Sequence, residues 1–509
     1  MRFSLILKCA FRKEVLLATL TGLVVLASAN IATAQGNPYA GVAQGIIDGS
    51  NDDTGQLYGT TQNGGTYAKG TLYKLSTSGG AATVMHSFGS VNASYPVDGI
   101  YPMYSLNRGW GTGPDPVTGL TNGARWDCSN FGDTGTIPPV ASYVWALSAS
   151  TFSGSNSTYT AGSYAYHSET IEGNIIEVND AAFNGTTGTY CYAAGYSVVD
   201  STTILRWPAG SPGSAVIVYT PPNPSVSPHW GANYLVYYNE KLYVSTGNYG
   251  DGTSPGYQGF IYDLSGFSGT TFGTVLPIQK MANVVTTWTG KDPQQLMVAS
   301  YCGTSGATNY YIFGAAKSGG SATGNWTDYG TIFYIDPSKT EGSAGSFNLA
   351  YTFRGWQAGH PWNEGTQPIG RMTETSDGQY LYGTTSTGGF YTNSGTGLTA
   401  HDKGTIYRIN LTKALSTDKS TCLESTYVFD QADDGSLPCS ELTQDSSDTI
   451  TSPAIYDFYG TAYSGGNAGR GSVYKYTDNL AYGSIPYNYT TSTVSGSTSR
   501  NGNQWVHLF

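Results

Sequence analysis

A short pattern of polar, β-branched, aromatic, variable and apolar residues recurs seven times along the chain. Its first position is usually Thr or a similar residue, its second is β-branched or Leu, and its third is usually aromatic. β-Branched and aromatic residues favour strands, so each copy predicts one β-strand. The copies are TLYKL at Thr71, YVWAL at Tyr143, TILRW at Thr203, FIYDL at Phe260, TIFYI at Thr331, TIYRI at Thr405 and SVYKY at Ser472.

A second predicted strand precedes several copies, and a Gly-Gly pair lies between the two strands in three units. Two glycines supply the positive φ angles of a tight hairpin, so these units predict two antiparallel strands joined by a Gly-rich turn. The preceding strands begin at Leu57, Leu242, Leu381 and Phe458, and the glycine pairs are Gly64-Gly65, Gly388-Gly389 and Gly465-Gly466.

Two further strands complete the unit. One follows the repeated pattern and ends in Phe, and an apolar stretch upstream supplies the other. The following strands end at Phe88, Phe353, Phe429 and Phe509, and examples of the upstream stretch are Gln44 to Ile47 and Pro453 to Tyr456. About four strands per repeat is the composition of a propeller blade.

The sequence therefore predicts an all-β fold, a seven-bladed β-propeller with about four antiparallel strands per blade, as one domain over residues 35–509. Each unit is longer than the roughly 40 to 45 residues of a compact propeller repeat, so the additional residues are expected in loops. A parallel β-helix is the competing architecture, but its repeats are shorter and it lacks antiparallel hairpins.

The first 34 residues have the features of a secretory signal peptide. Four basic residues accompany an apolar run from Val15 to Ala27, and Ala32-Thr33-Ala34 precedes Gln35 as an A-x-A cleavage site. No later stretch has the roughly 18 uncharged apolar residues of a spanning helix. We expect a secreted protein, extracellular or periplasmic, that does not span a membrane.

Charge and composition narrow the classes of partner and structure. Residues 35–509 contain 19 basic and 33 acidic residues, a net charge of −14, which makes nucleic acid an unfavourable partner. The 68 glycines disfavour helices, while 13% aromatic residues can fill a large core. No Cys-x-x-Cys pair is present. Cys422 and Cys439 are the closest cysteines in residues 35–509, and a disulfide between them is one possible pairing.

The YGTT-x-x-GG segment, followed by Gly-Thr-Ile/Leu-Tyr and a strand ending in Phe, resembles the bacterial GloVer tandem repeat. The match extends over Gly59 to Leu75, Gly383 to Ile409 and Gly460 to Tyr476, while the other units keep only the later strand. The resemblance implies an exported bacterial repeat protein of propeller-like build, often held at the surface by a C-terminal anchor, and it implies no defined activity. No sorting signal follows Trp505.

Loops between the predicted blades carry the candidate ligand-binding residues. Propellers place ligands at one mouth of the central channel, where loops from different blades converge. Trp faces could stack on a sugar or another planar surface, while His and Glu bind its edge. The alternative is that these side chains anchor loops. The candidates are His229, Trp230, Trp356, His360, Trp362, Glu364 and Glu169.

Metal sites are secondary possibilities, and no cofactor is expected. Acidic turns at 48–53 (DGSNDD) and 430–434 (DQADD) could hold Ca²⁺, although Asp and Gly are also ordinary turn residues. A cluster of His167, His229 and His360 would supply zinc-type ligands.

Three functions remain open. The leading hypothesis is a noncatalytic exported protein that binds a carbohydrate, an envelope polymer or a cell-surface protein. The alternatives are an enzyme acting on an extracellular polysaccharide, with Glu169, Glu172 or Glu364 as its carboxylates, and a structural surface protein. No catalytic motif is recognised.

Overall fold

The computed structural model describes the larger part of the chain. The described residues are 38, 41–44, 55–87, 101–103, 125–131, 141–148, 164–167, 169–197, 201–208, 216–219, 232–246, 259–264, 277–280, 283–284, 287–302, 307–320, 329–340, 343–354, 364–393, 397–400, 403–429, 435–438, 440–445, 454–465, 471–480, 492–494, 497–500 and 503–507. The predicted signal peptide lies outside them.

Seven antiparallel sheets of four or more strands follow one another along the chain. The first four contain four strands each. Sheet 1 contains β1 (Ala43–Gln44), β2 (Gln56–Thr61), β3 (Thr71–Ser76) and β4 (Thr83–Ser87), and sheet 2 contains β5 (Tyr101–Met103), β6 (Arg125–Phe131), β7 (Ala141–Ser148) and β8 (Tyr164–His167). Sheet 3 contains β9 (Glu169–Val178), β10 (Tyr190–Ser197), β11 (Ser201–Pro208) and β12 (Val216–Tyr219), and sheet 4 contains β13 (Ala232–Tyr238), β14 (Lys241–Thr246), β15 (Phe260–Leu264) and β16 (Pro277–Lys280).

The remaining sheets have the same arrangement with additions. Sheet 5 contains β19 (Lys291–Pro293), β20 (Met297–Cys302), β21 (Thr308–Ser318), β22 (Thr331–Ile335) and β23 (Phe347–Thr352), and sheet 6 contains β24 (Thr366–Glu374), β25 (Tyr380–Thr387), β28 (Thr405–Asn410) and β29 (Leu423–Val428). Sheet 7 contains β30 (Ser436–Pro438), β31 (Thr443–Gln444), β32 (Ile455–Ser464), β33 (Ser472–Asn479), β34 (Ser492–Val494), β35 (Ser497–Arg500) and β36 (Asn503–His507).

Short hairpins and helices complete the described structure. The hairpins are β17 (Asn283–Val284) with β18 (Thr287–Trp288), and β26 (Phe390–Asn393) with β27 (Gly397–Ala400). The described helices are α1 (Ala181–Asn184), which the Asp180 carboxylate caps, and α2 (Leu411–Ala414). Helix is therefore scarce in the described part of the chain, as its composition predicted.

The repeated pattern is confirmed as a structural repeat. All seven copies form the third strand of a sheet, and the strands beginning near Leu57, Leu242, Leu381 and Phe458 are second strands. One expectation was wrong. Pro453 to Tyr456 does not supply a first strand, because Ile455 already begins the long second strand β32, and β30 and β31 pair with β32 instead.

Six sheets form a propeller arrangement of antiparallel blades. Buried side chains pack between sheets 3 and 4, 4 and 5, 5 and 6, 6 and 7, and 7 and 1, so the core consists of successive layers between blades. The backbone of sheet 2 lies beside strand β9 of sheet 3. The propeller class is confirmed, and the six-bladed arrangement differs by one from the predicted seven.

A glycine beneath an aromatic ring explains the conserved spacing within the repeat. Gly383 in β25 pairs directly with Tyr407 in β28, and the fully buried Tyr407 ring lies over the glycine. A Cβ atom at Gly383 would lie 2.3 Å from the Tyr407 hydroxyl oxygen. The same crossing joins Gly59 with Tyr73, Gly314 with Phe333 and Gly460 with Tyr474. The Gly of YGT is required because only a bare backbone admits the ring.

A second glycine contact joins neighbouring blades. Gly404 precedes the third strand of sheet 6 with φ 95°, and a Cβ there would lie 2.7 Å from Cδ of Pro438 in sheet 7. Matching contacts join Gly259 with Pro293, Gly330 with Pro368 and Gly471 with Pro38. The last contact brings sheet 7 against the chain segment that leads into sheet 1.

The close fit beneath Tyr407 makes a testable prediction. Gly383→Ala should destabilise the protein by about 1–3 kcal/mol, because the added methyl group overpacks the buried ring. Gly55→Ala is the matched control, since nothing lies within 4 Å of a Cβ there. In the double variant with Tyr407→Leu the two effects should add less than fully, because the smaller side chain relieves the clash. Equal urea midpoints for the Gly383 and Gly55 variants would contradict this packing.

Candidate functional site

The first strands surround a central cavity of about 480 Å³. Five sheets line it, which makes it the central channel of the propeller. Its wall mixes apolar groups with amides, hydroxyls and three charged side chains. The lining residues are Val42 to Gln44, Asn174 to Ile176, Met297, Val298, Arg371 to Glu374 and Glu441 to Gln444.

Side chains on the first strands hydrogen-bond to the next blade and thereby fix this wall. The buried Asn174 amide donates to the Leu235 carbonyl and accepts from the Leu235 N–H, both at 2.8 Å. The Thr373 hydroxyl donates to the Leu442 carbonyl, and the Thr443 hydroxyl donates to the Val42 carbonyl. Polar groups used in this way hold the channel in shape, and a preformed wall lowers the cost of binding a ligand.

Glu374 also joins two blades. Its carboxylate accepts from the Ser300 N–H at 3.0 and 3.1 Å and from the Ser300 hydroxyl at 2.7 Å. Burial raises the pKa of Glu374 above its usual value, and the hydrogen bonds from Ser300 partly offset that rise. Much of the hydrogen-bonding capacity of this carboxylate is therefore occupied within the protein.

Arg371 and Glu441 differ from the other polar groups of the wall. Among the described residues, neither side chain forms a hydrogen bond or an ion pair within 4 Å. Burial raises the pKa of Glu441, and the positive charge of Arg371 acts in the opposite direction. A carboxyl group and a guanidinium are thus both available to a molecule in the channel.

Glu364 lies toward the other end of the channel. It precedes β24, whose far end, at Glu374, is the cavity-lining end. We call the end that contains Glu364 and the Gly-rich hairpins the loop face. The Glu364 carboxylate is 4% exposed, and it accepts from the Tyr351 hydroxyl at 2.5 Å and from the Arg354 N–H at 3.1 Å. Burial raises the pKa of Glu364, and these hydrogen bonds lower it in part.

This arrangement corresponds to the second interpretation of the candidate residues, in which their side chains anchor loops. Arg354 and Glu364 flank the segment 355–363, which lies outside the described residues, and the hydrogen bond between them holds these two flanking residues together. Because its carboxylate is buried and already hydrogen-bonded, Glu364 has little capacity left for direct contact with a ligand.

The side chains of the other predicted residues lie outside the described part of the chain. Trp356, His360 and Trp362 lie outside the described residues, as do His229 and Trp230. Glu169 is the first residue of β9, but its side chain is outside the described set. The acidic turns at 48–53 and 430–434 also lie outside it. Within the described residues, no group of three or more His, Cys, Asp or Glu could hold a metal ion.

The expected disulfide is not formed at Cys422. That residue is a buried free thiol whose Sγ donates to the Ala350 carbonyl at 3.5 Å, and it packs in the core between sheets 5 and 6. Burial raises the pKa of Cys422 to about 11, so the reactive thiolate is disfavoured. Cys439 lies outside the described residues. Spacing alone suggested the pair, whereas the core encloses Cys422.

Sequence reasoning missed Arg371 and Glu441 because the first strands lack the repeated aromatic pattern. A weaker signal is present. In sheet 6, Pro368 is followed three residues later by Arg371 and four residues later by the apolar Met372. In sheet 7, Pro438 is followed at the same spacings by Glu441 and Leu442. A proline after an inter-blade loop, with a charged and an apolar residue at these spacings, would have identified the channel wall.

Comparisons with known proteins give only distant similarities. No family model and no curated protein matches the chain. Among solved structures, the BP39L lectin from Burkholderia pseudomallei is 8% identical with a TM-score of 0.45, covering 88% of this chain and 97% of that one. The GH93 α-L-arabinofuranosidase of Fusarium graminearum is 13% identical with a TM-score of 0.38, covering 70% and 90%. The α-L-arabinanase of Penicillium chrysogenum is 15% identical with a TM-score of 0.37, covering 70% and 89%.

The fold and the site together define a class. The chain is a β-propeller protein with a ligand-sized channel whose wall is held by hydrogen bonds between blades. No helix in the described part of the chain has the length and apolarity needed to cross a membrane.

The buried Glu364 carboxylate gives the protein a predictable pH dependence. A carboxyl group whose pKa is raised by folding binds its proton more tightly in the folded state, so its contribution to stability is present below the unfolded pKa and is lost as pH rises through the folded pKa. The free energy of unfolding of the wild type, measured relative to Glu364→Gln, should therefore fall as the pH rises above about 4, the ordinary pKa of a glutamate. Urea titrations at several pH values test this. A difference that stays constant or rises with pH would contradict the buried carboxylate.

Proposed function

We propose that this chain is an exported protein that binds a carbohydrate at the loop face of the propeller. The observation that carries the proposal is the contact between the two residues that flank the segment 355–363. The hydrogen bond between Arg354 and Glu364 lies directly before the first strand β24, so both residues that flank this segment lie at the start of a channel-lining strand. The segment contains Trp356, His360 and Trp362, which are residues suited to stacking on a sugar ring and binding its hydroxyl groups.

A second loop supports the same assignment. The segment 220–231 contains His229 and Trp230 and leads into β13, which is the first strand of sheet 4. Loops that enter first strands converge around the channel, so residues distant in sequence can act on one ligand. The candidate partner is a polysaccharide, and no metal or cofactor is required for stacking and hydrogen bonding.

A glycan and polysaccharide array with the mature protein tests this function. Trp356→Ala and Trp362→Ala should each weaken binding about tenfold, equivalent to about 1.4 kcal/mol, without a matching loss of thermal stability. Tyr310→Ala is the control, because this aromatic side chain is 43% exposed on sheet 5 outside the channel lining. Unchanged binding in both Trp variants would contradict the assignment, and no binding to any glycan would favour a protein partner or a structural role.

An enzyme that binds a polysaccharide inside the channel, and not at the loop face, is the second candidate. The observation that favours it is Glu441, because a carboxyl group with a raised pKa on an open wall is what a general acid requires. Reducing ends released in the array wells separate the two functions. Release that is lost in Glu441→Gln would establish the enzyme, whereas binding without release supports the noncatalytic protein.

We further propose that sheet 2 is a seventh blade of the ring. Its first strand contains Pro102, and the first strands of sheets 5, 6 and 7 contain Pro293, Pro368 and Pro438. Gly70 precedes the third strand of sheet 1 with φ 104°, like the glycines that contact those prolines in the preceding blades. Electron-microscopy class averages viewed along the channel count the blades directly. Seven are expected, and six would contradict the proposal.

A further inference from the structure

The channel wall contains a charged pair that the proposed loop-face site does not use. Arg371 comes from sheet 6 and is exposed to the cavity, while Glu441 comes from sheet 7 and is half-buried. Their charges are close enough to interact, yet they form no ion pair within 4 Å. The two groups face the same cavity and remain separate.

Close backbone contacts position Glu441 on both sides. A Cβ at Gly370, next to Arg371, would lie 3.0 Å from the Glu441 backbone nitrogen. Gly41 lies directly before sheet 1, on the other side of sheet 7, and a Cβ there would lie 3.1 Å from Cγ of Glu441. Glycines therefore allow sheets 6 and 1 to approach sheet 7 at this residue, and they fix the height of Glu441 relative to Arg371 on the wall.

Hydrogen bonds between blades satisfy the other polar groups nearby. Gln444 accepts from the Ser376 N–H at 2.9 Å, and the Gln44 amide donates to Asp445 at 3.0 Å. Thr373 and Thr443 donate to backbone carbonyls of the next blade. Arg371 and Glu441 are thus the charged groups of the described wall that remain for a ligand.

From this placement we propose that the channel binds a small zwitterionic molecule of the amino-acid class, with its carboxylate at Arg371 and its ammonium at Glu441. Charge-assisted hydrogen bonds to a guanidinium and a carboxylate are stronger than neutral ones. The apolar part of the ligand would contact Ala43, Ile176 and Val298, which line the same cavity and are only partly buried. A volume of about 480 Å³ is within the range of small-molecule sites.

This site is independent of the carbohydrate site. The cavity lining begins at Arg371 and extends to Glu374, at the end of β24 away from Glu364. Loss of glycan binding in the Trp variants would leave the zwitterion site intact, and the reverse also holds. The two proposals can therefore fail separately.

Isothermal titration calorimetry of the mature protein with L-leucine, D-leucine and L-methionine tests the proposal. Two analogues of leucine carry one charge each, because isoamylamine lacks the carboxylate and 4-methylpentanoate lacks the ammonium. At least one zwitterion should bind, and each single-charge analogue should bind about tenfold more weakly or worse, since one charged contact is lost. Absence of binding by all three amino acids, or equal binding by the analogues, would overturn the proposal.

Charge-neutral variants assign the contacts. Arg371→Gln should lower the affinity for the zwitterion about tenfold but leave the affinity for isoamylamine unchanged. Glu441→Gln should lower the affinity for the zwitterion about tenfold but leave the affinity for 4-methylpentanoate unchanged. Glu240→Gln and Lys339→Gln are controls, because both side chains are exposed and lie outside the channel lining. If both channel variants bind the zwitterion as the wild type does, the site is not at this pair. Circular dichroism of each variant checks that it is folded.

Discussion

An aromatic ring lying over a bare glycine is the contact that fixes the strand register in sheets 1, 5, 6 and 7. In four sheets the ring comes from the third strand, and the glycine is its direct partner in the second strand. The ring needs the space of a missing side chain, so the second and third strands must hold one register. In sheet 7, Leu442 of the first strand also reaches this point, 2.8 Å from where a Cβ of Gly460 would lie. The crossing thus sets the position of the channel wall as well.

Tyr382 and Tyr456 serve this architecture in two ways, because their rings fill the core while their hydroxyl groups hydrogen-bond to a carboxylate of the neighbouring sheet. Tyr382 donates to the buried Asp478 at 2.7 Å, and Arg408 donates to the same carboxylate at 2.7 Å, which joins sheets 6 and 7. Tyr456 donates to Asp377 between the same two sheets at 2.8 Å. A buried Asp is tolerated here because opposite charge and hydrogen bonds compensate its desolvation. Blade packing and polar contacts between blades therefore reinforce one another.

The second and third strands form the structural frame of each blade, and the first strands line the channel. Second and third strands pair on both edges and bury both faces, so their sequences are constrained. First strands pair on one edge, and Arg371 on β24 and Glu441 between β30 and β31 line the channel. Side chains on the first strands can therefore differ between proteins without disturbing the contact between the aromatic ring and the glycine. The loops that enter these strands extend the same freedom to the channel mouth.

Sequence predicted the frame far better than the site. The third strands were found because an aromatic residue such as Tyr407 recurs at the third position of most copies, and the Gly-Gly turns followed from their positive φ angles. The first strands were misplaced at Pro453 to Tyr456 because their short, interrupted pairing leaves no strong period. For Glu364 both ligand contact and loop anchoring stayed open, because burial cannot be read from a loop sequence. Arg371 and Glu441 meet only through contacts between sheets 6 and 7, and single-sequence spacing does not encode such contacts.

Amide hydrogen exchange of the mature protein, followed by mass spectrometry of peptides, tests most directly the claim that second and third strands form the frame. The slowest exchange is predicted for segments such as Tyr380–Thr387 and Thr405–Asn410, where both strand edges are paired and the side chains are buried. First strands such as Thr366–Glu374 should exchange faster. Slowest exchange in the first strands, or uniform exchange across the four strands of a sheet, would contradict the account.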